Sequence, residues 1–152
     1  AQLYAVQGNG DKAFGMLDSF FRYFCTDNGF HSNGDYRFKT SCSQRCRLFT
    51  LEANFLAMDA MQEMLLYSEN NIIKLLPAVP ADWKDVAFEN LRAYGGLLVS
   101  LKLCDGKITY LKFTAEKDIH FTLEEPKYEC AFALSKEMDL KQGETVCMHQ
   151  NS

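Results

Sequence analysis

The hydrophobic pattern changes its period near residue 70, and this change constrains the fold more than any other feature. Before that point, apolar residues recur every three or four positions, which is typical of amphipathic helices; examples are Phe14, Leu17, Phe20, Phe21 and Phe24. After it, apolar and polar residues largely alternate, which is typical of half-buried antiparallel strands. The sequence therefore predicts an α+β chain with a helical segment over residues 1–70 and an antiparallel β domain over residues 71–152.

In the helical half, we predict one helix capped by Asp11 and carrying the Phe14–Phe24 stripe, and a second over Leu51 to Ser68. The methionines of the second helix are more typical of a core than of a cofactor site. The residues between the two, Cys25 to Thr50, are rich in Asn, Gly, Asp and Ser, which favour turns. Because long loops in compact domains are often functional, we expect chemistry here.

In the second half, Pro77 and Pro80 exclude a helix. Asp105-Gly106 predicts a tight hairpin, since both central residues of a type I′ turn need positive φ. The alternating segments predict strands at Ile72–Leu76, Val86–Tyr94, Leu97–Leu103, Ile108–Phe113, Ile119–Leu123, Tyr128–Leu134 and Thr145–Met148.

Composition narrows the partners. With 152 residues, 47% of them hydrophobic and 13% aromatic, the chain can build a core, which argues against disorder. A net charge of -4 argues against nucleic acid or an anionic membrane as the main partner. No apolar stretch approaches the roughly 20 residues that a bilayer-spanning helix needs. We therefore expect neither a nucleic-acid partner nor a membrane partner.

The six cysteines leave several readings open. Three disulfides are possible, Cys42 and Cys46 are loosely spaced for zinc, and a cysteine nucleophile could act with His31. A chain with this much core does not need covalent staples. We expect free, structural thiols, no metal site and no cofactor.

Two blocks of sequence resemble a known family. Phe49-Thr50-Leu51-Glu52-Ala53-Asn54-Phe55, followed by Ala60-Met61-Gln62-Glu63-Met64-Leu65-Leu66, is similar to the F-x-[LI]-[DE]-G-N-F-G and A-x-x-E-M-L-L-Q-S patterns of family 95 glycoside hydrolases, the α-L-fucosidases. Ile72 to Pro80, Trp83 and Leu91 to Gly96 resemble the family's L-L-P-A-L-P-x-x-W and L-R-A-R-G-G. The resemblance implies the last helices of an (α/α)6 catalytic barrel followed by a small antiparallel β-sandwich domain.

The resemblance also implies a site. Glu52 stands where the family has the Asp that activates water, so it is the expected catalytic residue. Cys46 replaces a sugar-contacting His of the family, and we expect His31, Asp35 and Asn54 to bind substrate. The residues alone leave plainer readings open. Glu52 can be present only because a carboxylate is favourable in the first turn of a helix. Asn54 can form hydrogen bonds with the loop without touching a substrate, and His31 and Asp35 are common turn residues.

These observations lead to a functional hypothesis. The chain starts at Ala1 in what reads as the middle of a helix, so we expect a piece of a longer protein. It would be the C-terminal fragment of a glycoside hydrolase that resembles the α-L-fucosidases and inverts the anomeric configuration. We expect the fragment to be inactive alone, because Glu52 supplies only one half of the acid–base pair. The alternative is a non-catalytic β-sandwich module that binds carbohydrate or packs between domains. The expected partners are a glycan, through the parent protein, and either the rest of the barrel or a second copy, covering the stripes Phe14–Phe24 and Met58–Met64.

Overall fold

A computed structural model describes residues 1–150, so the last two residues of the predicted β domain lie outside the described part. The chain is mixed α and β. The helices are α1 (Gln2–Val6), α2 (Gly10–Ser19), a π-helical turn (Phe20–Phe24) and α3 (Glu52–Leu65). The strands are β1 (Ser32–Gly34), β2 (Arg45–Phe49), β3 (Leu66–Glu69), β4 (Ile72–Leu75), β5 (Val86–Ala93), β6 (Leu97–Cys104), β7 (Lys107–Ala115), β8 (Ile119–Leu123), β9 (Glu129–Cys130), β10 (Glu137–Leu140) and β11 (Thr145–His149).

Helix α2 begins earlier than predicted. Its N-cap is Asn9, whose side chain accepts a hydrogen bond from the Lys12 N–H at 3.2 Å. The prediction that Asp11 caps this helix is wrong, because Asp11 already lies in the first turn and its carboxylate accepts from the Ala81 N–H at 3.1 Å. Asp11 therefore ties the helix to the segment that enters the β domain.

Helix α3 ends at Leu65, so the prediction of a helix as far as Ser68 is wrong in its last three residues. Leu66–Glu69 instead forms β3 and pairs with β4 in an antiparallel hairpin. Its turn residues Asn70 and Asn71 have φ of 49° and 64°, a conformation that Asn tolerates. Pairing and the burial of Leu66 decide the structure here, over the helical spacing of the preceding residues.

Two sheets share one hydrophobic core. The four-stranded sheet has the order β10-β8-β4-β3, and the larger sheet has the order β11-β7-β6-β5, with β9 added beside β7. The predicted Asp105-Gly106 turn joins β6 and β7, with φ of 50° and 74°. Phe113 of β7 and Phe121 of β8 are fully buried with ring centroids 5.1 Å apart, so they connect the two sheets at the centre of the core.

The sequence pattern predicts purely antiparallel pairing, but the structure contains two parallel pairs. Strands β4 and β8 are parallel, and so are β7 and β9. The chain path explains why β4 and β8 are parallel, because β5, β6 and β7 belong to the other sheet and the chain returns to the first sheet only at β8. The predicted strand Tyr128–Leu134 is likewise wrong except for Glu129–Cys130, since this segment crosses between the sheets.

The helices form a second, smaller core. It consists of small and medium side chains from α1, α2 and α3 and the segment after β4: Ala5, Ala13, Leu17, Ala57, Ala60, Met64 and Ala78. Gly10 packs against the backbone of Ala78 and Val79, where a Cβ would not fit. Among residues 1–150, each helix is too short or too polar to cross a bilayer.

Candidate functional site

Asn54 links the first turn of α3 to the turn-rich loop before β1. Its side-chain oxygen accepts a hydrogen bond from the His31 N–H at 2.8 Å, and its side-chain nitrogen donates to the Gly29 carbonyl at 2.9 Å. The loop is closed by its own hydrogen bond from the Thr26 N–H to the Phe30 carbonyl at 2.8 Å. The structure therefore brings the predicted residues His31 and Asn54 into direct contact across 23 positions of sequence.

The His31 ring is held on one side and open on the other. Its Nδ1 lies 2.6 Å from the Thr50 hydroxyl, and the ring stacks on Phe20 at a centroid distance of 5.4 Å. Among residues 1–150, Nε2 has no hydrogen-bond partner. Sequence reasoning missed Thr50 and Phe20, because the first lies in an unremarkable position before a helix and the second reads as one more residue of a core stripe.

Glu52 is the first residue of α3, and its side chain is exposed. It forms no hydrogen bond or ion pair within the described part of the chain. A carboxylate in the first turn is favoured by the partial positive charge of a helix N-terminus. Glu52 lies two residues after Thr50 and two before Asn54, so one short segment carries Glu52 and both residues that fix His31.

Asp35 lies at the start of the loop between β1 and β2. It is fully buried, and its carboxylate accepts hydrogen bonds from the Thr40 N–H and, at 3.2 Å, from the Arg37 N–H. Burial alone pushes the pKa of the Asp35 carboxyl up, but hydrogen bonds from Thr40, Lys39 and Arg37 outweigh it and leave the pKa below its ordinary value. Asp35 thus organises the loop between β1 and β2, and its contact with a substrate stays a prediction.

The main cavities of residues 1–150 are lined by other residues. The largest, about 830 Å³, lies in the β domain and is lined by Ile72 and by residues 122–130, Phe132 and 134–136. A smaller apolar cavity of about 200 Å³ is lined by Phe14, Leu17, Asp18, Phe21, Met61, Met64, Leu65 and Trp83. Glu52 and His31 line neither of these cavities, but their neighbours Ala53 and Phe20 line another of about 290 Å³.

Two further carboxylates, Asp59 and Glu63, lie seven and eleven residues after Glu52 and therefore on the same face of α3. The Gln2 side-chain amide donates to Asp59 at 2.6 Å and, more weakly, to Glu63 at 3.4 Å, while the second oxygen of Glu63 is buried with no partner among residues 1–150. Burial and the charge of Asp59 raise the pKa of Glu63, although the hydrogen bond from Gln2 acts in the opposite direction.

Side chains that could bind a metal ion or form disulfides are spread over the described chain. Within residues 1–150, no group of three or more His, Cys, Asp or Glu side chains is placed to hold a metal ion. The six cysteines are free thiols in this structure. Burial raises the pKa of Cys25 despite the nearby charge of Arg37.

Comparison with known proteins decides the family. The model of the glycoside hydrolase family 95 C-terminal domain matches residues 67–151, which is more than half of the chain. The chain belongs to glycoside hydrolase family 95. Over 70 residues it is also 39% identical to alpha-L-fucosidase 2 of Arabidopsis thaliana. That alignment covers 45% of this chain but only 8% of the relative, so the chain spans a small part of the relative's length.

The match confirms the family resemblance seen in the sequence and fixes its extent. The matched domain begins within β3 and includes every later strand of both sheets. Glu52, Asn54, His31 and Asp35 all precede it. The family assignment thus rests on the β domain, whereas the candidate site lies on the helical segment that leads into it.

Proposed function

We propose that this family 95 chain is the C-terminal part of a hydrolase that cleaves glycosidic bonds in glycans, of the α-L-fucosidase type, by inverting acid–base hydrolysis. The observation that carries the proposal is the state of Glu52: an exposed carboxylate without a partner in the described chain, two residues before Asn54, which binds His31. A structural carboxylate in this loop looks different, as the buried and fully hydrogen-bonded Asp35 shows.

Each residue then has a distinct task. Glu52 is the general base, which takes a proton from the water that attacks the anomeric carbon, while the leaving oxygen is protonated by an acid from the rest of the barrel. His31, with Nδ1 held by Thr50, offers Nε2 to a sugar hydroxyl. Asn54 positions His31 and the first turn of α3, and Asp35 holds the loop between β1 and β2.

The proposal also predicts that this chain alone does not hydrolyse glycans. An inverting enzyme needs two carboxyl groups roughly 6.5–9.5 Å apart on opposite faces of the sugar. Within this chain we assign Glu52 alone to the reaction, and the second carboxyl group belongs to the rest of the barrel. Hydrolysis therefore requires the remainder of the parent protein.

Exposed apolar side chains support the finer architecture, in which α1 to α3 are the last barrel helices and the two sheets form the following β-sandwich. The exposed large apolar residues of the helices are Leu3, Val6, Phe14, Met16, Phe21, Phe55, Leu56, Met58 and Met61. Most exposed aromatic rings also lie on the helices and the β1–β2 region rather than on an outer face of the β domain. This distribution suits packing against missing barrel helices, or against a second copy when those helices are absent, better than a carbohydrate platform on the sheet.

The test uses the complete parent protein. Because a general base contributes on the order of 10²–10⁴ in rate, Glu52→Gln should lower kcat on an α-L-fucoside by about that factor while leaving the folded state unchanged. Glu52→Asp keeps a carboxylate and should retain more activity than Glu52→Gln. NMR of the first-formed sugar should show inversion at the anomeric carbon.

A matched control is Glu125→Gln, an exposed glutamate of the β domain whose loss should leave kcat unaltered. The proposal is wrong if Glu52→Gln hydrolyses substrate as fast as the unmodified protein. It is also wrong if the initial product retains the substrate configuration.

A further inference from the structure

Residues 36–47 form a basic segment in an otherwise acidic chain. They contain four cations, Arg37, Lys39, Arg45 and Arg47, and no Asp or Glu, whereas the whole chain has a net charge of -4. The segment runs from the end of β1 through the connecting loop into β2. Its charge is therefore a local property that the overall balance conceals.

Aromatic rings hold these cations in place. Two guanidinium groups lie over the Tyr36 ring, with their central carbons 5.1 Å (Arg37) and 4.9 Å (Arg47) from the ring centroid. Arg45 lies over Phe38 at 4.7 Å. Stacking on a ring face leaves the N–H groups at the edge of the Arg47 guanidinium available to bind an anion. The N–H groups of Arg37 and Arg45 already donate to protein oxygens.

Two of the four cations are free of acidic partners. Arg37 pairs with Asp27 at 2.5 Å, and Arg45 lies 3.7 Å from the buried Asp35. Lys39 and Arg47 are exposed, and among residues 1–150 no carboxylate forms an ion pair with either. They are the charges that an incoming anion would meet without displacing an internal partner.

The basic segment leads directly to the candidate site. Because side chains alternate along a strand, Arg45, Arg47 and Phe49 share one face of β2. Phe49 packs on Phe30 with ring centroids 5.5 Å apart, three residues before Glu52. The unpaired charge of Arg47 therefore lies on the strand that ends beside the His31–Asn54 contact.

From this arrangement we infer that the β1–β2 segment binds anionic substituents of the glycan, sulfate esters or carboxylates, and selects charged glycans for the site of Glu52. The inference rests on the proposed function for its catalytic part. Guanidinium groups recognise such oxyanions through paired charge-assisted hydrogen bonds, and Lys39 adds a mobile ammonium group.

Binding is tested first, with the 152-residue chain in affinity electrophoresis. The gels contain a sulfated fucan, the same fucan after desulfation, or polygalacturonate. Retardation by the sulfated gel alone identifies sulfate, retardation by polygalacturonate alone identifies carboxylate, and either result supports the inference. Equal mobility in the charged and the neutral gels overturns it, as does equal retardation by a single-stranded RNA at the same ionic strength.

Variants then locate the binding surface. Lys39→Ala/Arg47→Ala should weaken the charged interaction at least about tenfold, the equivalent of one or two charge-assisted hydrogen bonds. Lys117→Ala/Lys136→Ala removes the same charge from exposed positions of the β domain and should have no effect. Arg47→Lys keeps the charge and should bind better than Arg47→Ala. Equal weakening by the two double variants, or no weakening by the first, would contradict the assignment.

Activity of the complete parent separates this inference from the proposed function. The Lys39→Ala/Arg47→Ala variant should lower kcat/KM for a charged substrate about tenfold and leave a neutral α-L-fucoside unchanged. Glu52→Gln should lower both. If Glu52→Gln is inactive but the double variant treats both substrates normally, only the inference fails. If the charged glycan binds as expected but Glu52→Gln stays active, only the catalytic proposal fails.

Discussion

Replacing Asn54 by Ala removes the side chain that joins α3 to the loop of His31. Two hydrogen bonds disappear: the one accepted from the His31 N–H at 2.8 Å and the one donated to the Gly29 carbonyl at 2.9 Å. The Gly29 carbonyl lies near solvent and can bind water instead. The half-buried His31 N–H has less access to water, so the loss of its hydrogen bond accounts for most of the decrease in the free energy of unfolding.

The expected loss follows from these two bonds. A net contribution of about 1 kcal/mol for each gives a loss of about 2 kcal/mol in the free energy of unfolding. For a chain of this size, 1 kcal/mol lowers Tm by about 2–4 °C, so Asn54→Ala should lower Tm by about 4–8 °C. Asn54→Asp keeps the acceptor for His31 and should lose less than Asn54→Ala.

The assay is thermal unfolding followed by far-ultraviolet circular dichroism, with all variants at one protein concentration. Asn33→Ala is the control, because Asn33 is an exposed residue of β1 whose side chain makes no hydrogen bond within residues 1–150. The control should unfold within about 1 °C of the unmodified chain, as surface substitutions usually do. A Tm for Asn54→Ala equal to that of the control would refute the assigned linkage.

Two further predictions concern charge and apolar surface. Because burial raises the pKa of Glu63, ionisation of this side chain destabilises the folded state above that pKa. Glu63→Gln should therefore increase the free energy of unfolding, measured with urea, at pH 8. The increase should vanish near pH 4, where Glu63 is protonated. An equal gain at both pH values, or the same gain for the exposed Glu125→Gln, would contradict this reasoning. Phe55 and Met58 of α3 are both 62% exposed, so we expect the chain to self-associate through them, as measured by sedimentation velocity. Phe55→Lys/Met58→Lys should abolish the association, whereas the control Tyr94→Lys should not. A chain that stays monomeric at every concentration would rule this out.

Long strands with local turns were predictable, and short strands with distant partners were not. The hairpin around Asp105-Gly106 follows from alternation and from a turn type that these residues favour. In contrast, Glu129–Cys130 becomes β9 only because β7 lies beside it, and nothing in its own sequence encodes that neighbour. Leu66–Glu69 carries a helical spacing that sheet pairing overrides.

The site was predictable where a spacing or a resemblance marked it. The role of Glu52 came from the family resemblance, whereas the contact of His31 with Asn54 came from the structure. The burial of Asp35 was hidden, because a carboxylate in a turn-rich segment reads the same whether it binds substrate or its own backbone. The partner of the His31 ring, Thr50, required coordinates.

The length of the Glu52 side chain connects the loop to the chemistry. If Glu52 replaces the family's Asp, its carboxylate lies about 1.5 Å further from the backbone, and a displacement of about 1 Å can cost on the order of 100-fold in rate. A functional Glu52 therefore needs its backbone set back by a similar distance. Asn54 fixes the first turn of α3 to Gly29 and His31, so the loop determines where that backbone lies. If Glu52 is the general base, weakening this link with Asn54→Ala should lower kcat of the complete parent as well as Tm.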